Sequence, residues 1–222
     1  ATVGFGDISP SSDTGKILTL VMILTGAGTF LGVVANATEL MLSKRELAVR
    51  LEKTNMVIGV FFSEVGRELI DYFYHFDPNL ETIRERFVVT EEWDATRFST
   101  VHDLLHGYQY EVKSDGLNLE GLQLFLAGKR EFMVRLLENP VLLEHENFTE
   151  LLQLVFHLTE ELTYRNDVRH LPQADIEHLA NDIRKAFYAL IDQWLDYMAY
   201  LKRNYPNLFS LAMRTNPFDP NS

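Results

Sequence analysis

The sequence predicts an all-α protein in which one membrane-spanning helix precedes a bundle of further helices. From residue 17 to residue 38 the chain carries 22 consecutive uncharged and mostly apolar residues. Beyond residue 54, apolar side chains recur at helical spacing, and Pro, Asn, Asp and Gly residues separate the segments. The alternating pattern that is typical of β-strands is nearly absent. Together these observations favour helices throughout.

The charge distribution divides the chain into two parts. The formal net charge is −12 over 222 residues. Residues 1–53 carry five basic and five acidic residues, so all of the net charge falls on residues 54–222, which also contain all seven histidines. Such an acidic chain argues against nucleic acid as a partner. The absence of cysteine excludes disulfides, zinc–thiolate sites and thiol nucleophiles.

The uncharged run at 17–38 predicts a transmembrane helix. At about 1.5 Å per residue it is about 33 Å long, and the bilayer core is about 30 Å thick. A signal peptide is the first alternative, but its apolar run is shorter and follows basic residues, whereas Asp7 and Asp13 precede this one. A buried helix of a soluble protein is the second alternative. Length and composition favour the transmembrane interpretation.

The flanking charges predict the orientation. Only Lys16 precedes the run, and four basic residues follow it: Lys44, Arg45, Arg50 and Lys53. The positive-inside rule therefore places residues 43–222 in the cytoplasm and residues 1–15 outside, with the plasma membrane as the expected bilayer.

The chain begins with the motif ATVGFGD, which resembles the selectivity filter of potassium channels, Thr-Val-Gly-Tyr/Phe-Gly-Asp. In that family, backbone carbonyls from four subunits replace the hydration shell of K⁺. The resemblance implies a filter that extends from residue 2 to residue 6 and an outer mouth at its end. Its residues are Thr2, Val3, Gly4, Phe5 and Gly6, followed by Asp7. A glycine-rich loop before an unrelated membrane anchor is the alternative interpretation.

The span itself resembles the inner helix of two-transmembrane potassium channels. The resemblance implies a gating hinge at Gly26, although close helix packing is an alternative role for this glycine. Gly28 and Gly32 form a small-xxx-small pair, which is typical of helix packing in lipid. Thr25 and Thr29, together with Asn36, either face an aqueous cavity or bond back to helix carbonyls. Glu39 either lines the inner mouth or pairs with Lys44 or Arg45.

The family's first transmembrane helix and pore helix precede the filter, so we expect this chain to be part of a longer subunit. Its fold class is then the second half of a potassium-channel pore module followed by a cytoplasmic helical bundle. The expected domains are 1–42 (filter and inner helix), 43–53 (basic linker helix), 54–215 (acidic helical domain) and 216–222 (frayed tail). The expected helices of the acidic domain span 54–76, 79–89, 91–110, 117–138, 141–165, 173–204 and 206–214.

The helical domain contains no motif of an enzyme or of a common regulatory module. Gly-rich dinucleotide fingerprints, P-loops, hydrolase motifs and EF-hands are absent. His102 and His106 lie four residues apart on one helical face, and further metal ligands are conceivable: Glu144, His145, Glu146, His157, Glu160 and Glu161. Solvated helix faces are the commoner explanation, so we expect no catalytic residue, no cofactor and no metal.

One long predicted helix carries an aromatic run, which favours a core or a subunit interface over a ligand cage. The run comprises Phe187, Tyr188, Trp194, Tyr197 and Tyr200. A filter of four strands requires a homotetramer, with apolar contacts expected at 57–62 or on the 187–200 helix. The sequence thus favours a K⁺-selective channel subunit, with K⁺ as the permeant ion. The alternative is a membrane-anchored helical scaffold or sensor with a non-conducting pore remnant.

Overall fold

The computed structural model describes residues 10–113, 117–142 and 145–220, and within these ranges the fold is all-α, without β-strands, as predicted. Its elements are α1 (Asp13–Phe61), a π-helical turn (Phe62–Gly66), α2 (Arg67–Phe76), 3₁₀ turns (Pro78–Thr82 and Arg84–Phe87), α3 (Ala95–Gly107), α4 (Leu119–Leu137), α5 (Glu146–Thr163), α6 (Gln173–Asn204) and α7 (Pro206–Arg214). The chain divides into two compact units, Ala1–Leu51 and Glu52–Ser222. The boundary between them falls within α1.

The first unit presents an apolar helix to its surroundings. Among the described residues, one helix is long and apolar enough to cross a membrane, and no residue of its most apolar 18-residue stretch is buried. Leu24 and Phe30, for example, are 63% and 67% exposed. A continuous apolar surface of this kind needs lipid or neighbouring helices to cover it.

The second unit is organised around α6. This helix packs against α2, α3, α5 and α7, while α4 packs against α5. The core between these helices is apolar and aromatic, with Phe61, Phe73, Phe148 and Phe187 fully buried. Because each surrounding helix is amphipathic, its apolar face turns toward α6 or α5 and its charged face stays in water.

Local side chains explain why several helices begin where they do. The side chains of Asp94 and Asn118 accept hydrogen bonds from the first-turn N–H groups of α3 and α4. Pro206 occupies the first turn of α7, where its missing N–H is not needed. The predicted limits of the last two helices, 173–204 and 206–214, agree with the structure.

The segment predicted as a helix at 79–89 forms two 3₁₀ turns instead. Asp77 is buried and its carboxylate accepts from the N–H of Asn79, which tightens the chain directly after α2. The short 3₁₀ turns then follow from Pro78 to Phe87. The buried side chain of Asp77 therefore overrides the helical pattern at this point.

The sequence predicts a frayed tail at 216–222, but the structure shows buried side chains within 216–220. Phe218 is fully buried, and its ring centroid lies 5.0 Å from that of Phe87 and 5.4 Å from that of Trp194. Arg84 Nε donates to the carbonyl oxygen of Phe218 at 2.7 Å. One aromatic anchor thus fixes the segment after α7 to the core.

The segments expected to form tetramer contacts also pack within the chain. Ile58 and Phe61 are fully buried, as is Phe187, and Trp194 is 3% exposed. These side chains fill the core of the second unit, so they are not available to a neighbouring subunit. The prediction that 57–62 or 187–200 supplies the centre of a tetramer interface is therefore wrong for these four residues.

Candidate functional site

The filter residues inferred from the motif, Thr2, Val3, Gly4, Phe5, Gly6 and Asp7, lie outside the described residues. The structure does describe the helix that follows them. That helix, α1, includes the whole of the uncharged run at 17–38. The structure therefore describes the candidate pore at its inner helix.

The three glycines of the uncharged run in α1 lie on an uninterrupted and exposed α-helical stretch. A Cβ atom added to Gly26, Gly28 or Gly32 would meet nothing within 4 Å. The surface above each glycine is therefore open to the close approach of another helix. The hinge role of Gly26 and the packing roles of Gly28 and Gly32 stay predictions.

Two threonines of this helix, Thr25 and Thr29, bond back to their own backbone. Thr25 Oγ1 donates to the carbonyl oxygen of Val21 at 2.9 Å, and Thr29 Oγ1 donates to that of Thr25 at 2.7 Å. The sequence left open whether these hydroxyls face a cavity or bond to helix carbonyls. In this structure each hydroxyl has a partner inside the helix, so it needs none from lipid or from a neighbouring chain.

In the second unit, two predicted histidines of α3 meet two carboxylates of α6. His102 Nδ1 lies 2.8 Å from Asp192 Oδ1, and His102 Nε2 lies 3.4 Å from Asp196 Oδ1. His106 Nε2 lies 3.2 Å from Asp192 Oδ2. Spacings of four residues on both helices bring the four side chains together. We call this set the α3–α6 cluster.

The electrostatics of the α3–α6 cluster favour a charged imidazole. Hydrogen bonds to Asp192 and then to Asp196 raise the pKa of His102 from 6.5 to about 9. His102 is therefore an imidazolium at neutral pH, with both ring nitrogens acting as donors. The cluster links α3 to α6 through charge-assisted hydrogen bonds.

The structure does not bring the other predicted ligands together in one place. Glu160 pairs with Arg130 at 2.7 Å, and Glu161 pairs with Arg165 at 2.5 Å. His145 Nδ1 accepts from the N–H of Phe148 at the start of α5, where Glu146 is the first helical residue. Glu144 lies outside the described residues.

Sequence reasoning missed the acidic partners of the histidines, and His178 with them. Two groups of side chains bring His and Asp atoms within 4.8 Å of one another: His102, His106 and Asp192, and His157, His178 and Asp182. Their sequence signal is the recurrence of His and Asp at spacings of four, at 178–182 and 192–196 on one predicted helix. Spacing alone does not tell which helix face meets a neighbour.

A buried carboxylate joins three segments of the second unit. Asp77 is fully buried, and its Oδ2 accepts from Tyr108 Oη at 2.7 Å and from the N–H of Glu111 at 3.0 Å. Burial and the hydrogen bond to this carboxylate raise the pKa of Tyr108. With the additional bond from the N–H of Asn79, this buried carboxyl group accepts three hydrogen bonds from protein donors.

The aromatic run of α6 contributes to the core, as the sequence favoured. Phe187 stacks on Tyr110 with ring centroids 4.0 Å apart. Tyr188 Oη accepts from the N–H of Tyr110 and donates to the carbonyl oxygen of Tyr108 at 2.6 Å. These contacts fix the strand-free segment after α3 against α6.

Comparisons with known proteins agree with this division of the chain. Residues 1–43 match a family model described as "Ion channel", and residues 50–214 match one described as "Uncharacterized protein MJ1433, C-terminal helical domain". The chain is 44% identical over 184 residues to "Uncharacterized protein MJ1433" of Methanocaldococcus jannaschii, which covers 83% of this chain and 74% of the relative. No solved structure matches the chain.

The first match supports ion transport in general and, with the apolar helix α1, association with a membrane. The second match spans most of the second compact unit. The chain therefore belongs to the family of the M. jannaschii protein MJ1433 and combines an N-terminal ion-channel segment with the C-terminal helical domain of that family.

Proposed function

We propose that this chain is a subunit of a homotetrameric, K⁺-selective channel that conducts passively and carries a helical cytoplasmic domain for assembly or gating. The observation that carries the proposal is the TVGFGD motif at residues 2–7, directly before the apolar helix and inside the ion-channel match. We propose no enzymatic activity for it.

The chemistry of the motif explains the selectivity. Potassium enters a filter only if protein oxygens replace its water shell, and four copies of a carbonyl strand supply them. Gly4 and Gly6 permit backbone angles that place successive carbonyls on one axis. A single chain supplies one strand, so the homotetramer follows from the filter.

The inner helix fits the role of the wall below the filter. Its apolar side chains are exposed in the single chain, and its hydroxyls bond internally, so lipid and neighbouring subunits meet an apolar surface. Gly28 and Gly32 leave room for close approach of a neighbouring helix, and Gly26 serves as the hinge of the gate. The basic residues after the helix support a cytoplasmic position for residues 43–222. We propose the plasma membrane as the bilayer.

Ion flux tests the proposal directly. The full-length protein, reconstituted into liposomes, should pass K⁺ in strong preference to Na⁺. Gly6→Ala should abolish the selectivity or the flux, because a Cβ atom opposes the backbone angles of the filter. Gly128→Ala is the matched control, because a Cβ atom at that exposed position meets nothing within 4 Å. Flux without preference for K⁺ would overturn the K⁺-selective filter. No flux from an intact tetramer would favour a membrane-anchored scaffold or sensor.

A further inference from the structure

We propose that α5 and α6 form a binding site for a divalent transition-metal ion of the Zn²⁺ type. The protein ligands are His157 Nε2, His178 Nε2 and Asp182 Oδ2. The site is separate from the ion-conducting segment and from the α3–α6 cluster, and its existence does not depend on conduction.

The helices place the three ligands on one shared face. His157 belongs to α5, whereas His178 and Asp182 lie four residues apart on α6, so that their side chains project from successive turns. Because α5 packs directly against α6, the histidine of α5 faces this pair. One nitrogen from each histidine and one carboxylate oxygen lie within 4.8 Å of one another.

The distances match a tetrahedral ion. His178 Nε2 lies 3.3 Å and His157 Nε2 lies 3.5 Å from the same oxygen, Asp182 Oδ2. Zinc binds imidazole nitrogens and carboxylate oxygens at about 2.0–2.1 Å, which places two tetrahedral ligands about 3.3–3.4 Å apart. Two of the three distances between ligand atoms are therefore those of a tetrahedral zinc site, and the third, between the two histidines, is at most 4.8 Å.

One buried carboxylate oxygen at this contact accepts no hydrogen bond from the described residues, although two imidazole nitrogens lie near it. Asp182 is 5% exposed, and its Oδ2 accepts no hydrogen bond from any residue in the described part of the chain. Its other oxygen, Oδ1, lies 3.5 Å from Lys185 Nζ. Burial of a carboxylate oxygen that accepts no hydrogen bond is costly, and buried polar groups in folded proteins are nearly always hydrogen-bonded. A bound metal ion supplies the missing partner.

The fourth coordination position is open to solvent. Glu161 Oε2 lies 3.7 Å from His178 Nε2, but Arg165 already binds this carboxylate at 2.5 Å. The side chains of His157 and His178 are 53% and 50% exposed, so water reaches the site. Three protein ligands with one open position allow the ion to exchange with the surrounding solution. Imidazole and carboxylate without thiolate suit Zn²⁺, Ni²⁺ or Fe²⁺ better than Ca²⁺ or Mg²⁺.

The α3–α6 cluster has different chemistry. The ring nitrogens of His102 face two carboxylates at 2.8 and 3.4 Å, and its raised pKa keeps the ring protonated at neutral pH. A protonated imidazole has no lone pair for a metal. At the α5–α6 contact, the carboxylates lie beside one nitrogen of each imidazole, Nε2. The ion is therefore assigned to this contact.

Calorimetric titration with Zn²⁺ of the full-length protein, purified in detergent and stripped with a chelator, tests the site. The wild type should bind Zn²⁺ saturably, and Co²⁺ in its place should give the intense visible absorption of a tetrahedral complex. His157→Gln and Asp182→Asn should each weaken Zn²⁺ binding at least about 10-fold, since loss of a direct ligand costs no less than loss of an outer-shell partner.

Two matched controls identify the site. His170→Gln changes an exposed histidine that contacts Asp167 nearby, and His106→Gln changes the α3–α6 cluster. Neither should alter Zn²⁺ affinity. His157→Gln changes a half-exposed side chain, so this variant should fold even if Asp182→Asn disturbs the packing of the domain. Circular dichroism checks the fold of both variants. Absence of saturable binding, unchanged affinity in His157→Gln, or loss of binding in His106→Gln would each overturn the proposal.

Discussion

Replacing His102 by Gln should destabilise the helical domain at about pH 6 and have a much smaller effect at about pH 10. In the folded state, two carboxylates of α6 face this imidazole, Asp192 at 2.8 Å and Asp196 at 3.4 Å, and His106 is its neighbour on α3. The carboxylates stabilise the protonated ring and so raise the pKa of His102 from 6.5 to about 9. Unfolding removes this stabilisation.

The magnitude follows from the shift in the pKa. A change from 6.5 to about 9 corresponds to at most about 3–4 kcal/mol, at about 1.4 kcal/mol for each pH unit. Because the side chain of Asp196 is 54% exposed, solvent screening lowers the expected value to about 1–2 kcal/mol. The folded-state pKa lies above the unfolded one, so the contribution is complete below pH 6.5 and disappears as the pH rises through about 9.

Urea denaturation of residues 52–222, followed by circular dichroism from about pH 6 to about pH 10, measures the effect. The free energy of unfolding of His102→Gln should approach that of the wild type as the pH rises. His170→Gln is the control, because the side chain of His170 is 83% exposed and pairs with Asp167, three residues away on the same segment. A difference that stays constant with pH, or an NMR titration of His102 with its midpoint near 6.5, would refute the reasoning.

Asp77→Asn should lower the free energy of unfolding by about 2–4 kcal/mol, because the buried carboxylate accepts three hydrogen bonds. Thermal unfolding measures this loss, and Asp103→Asn, at an exposed position, is the control. Gly66→Ala should lower the free energy of unfolding by about 1–3 kcal/mol, since the added Cβ would lie 2.5 Å from Phe62 Cδ1. Gly128→Ala should be neutral or stabilising, because a Cβ there meets nothing within 4 Å. Equal effects of the two variants in urea denaturation would contradict this. The full-length protein in detergent should have the mass of a homotetramer, and a monomer or dimer as the only species would argue against the four-stranded filter.

Helix limits were predictable where local chemistry sets them. Pro172 and Pro206 flank α6, and the sequence alone locates both of its ends. The segment at 79–89 was not predictable in the same way, because its 3₁₀ turns depend on Asp77, whose remaining partners lie more than 30 residues further along the chain. Phe218 likewise gives no local sign that it packs on Phe87 and Trp194.

The candidate sites show the same limit. The filter motif is readable because its chemistry resides in the backbone of consecutive residues, so order along the chain is sufficient. The histidine clusters are different, because Asp192 is 90 residues from His102 and is brought to it only by the packing of α3 on α6. Spacing identified His102 and His106, but their partners required the fold.

The two histidine clusters share one structural element, which suggests where the helical domain responds to its surroundings. Asp182 faces a histidine of α5, and Asp192 faces a histidine of α3, yet both carboxylates belong to α6. Loss of protons from the α3–α6 cluster weakens one contact of this helix, whereas binding of a metal at Asp182 strengthens another. Since α6 also packs against α2 and α7, changes in pH and in metal concentration act on the same central helix. Because the two carboxylates contact different neighbours of α6, His102→Gln should leave the Zn²⁺ affinity unchanged, as should His106→Gln; an altered affinity in His102→Gln would show that α6 couples the two contacts.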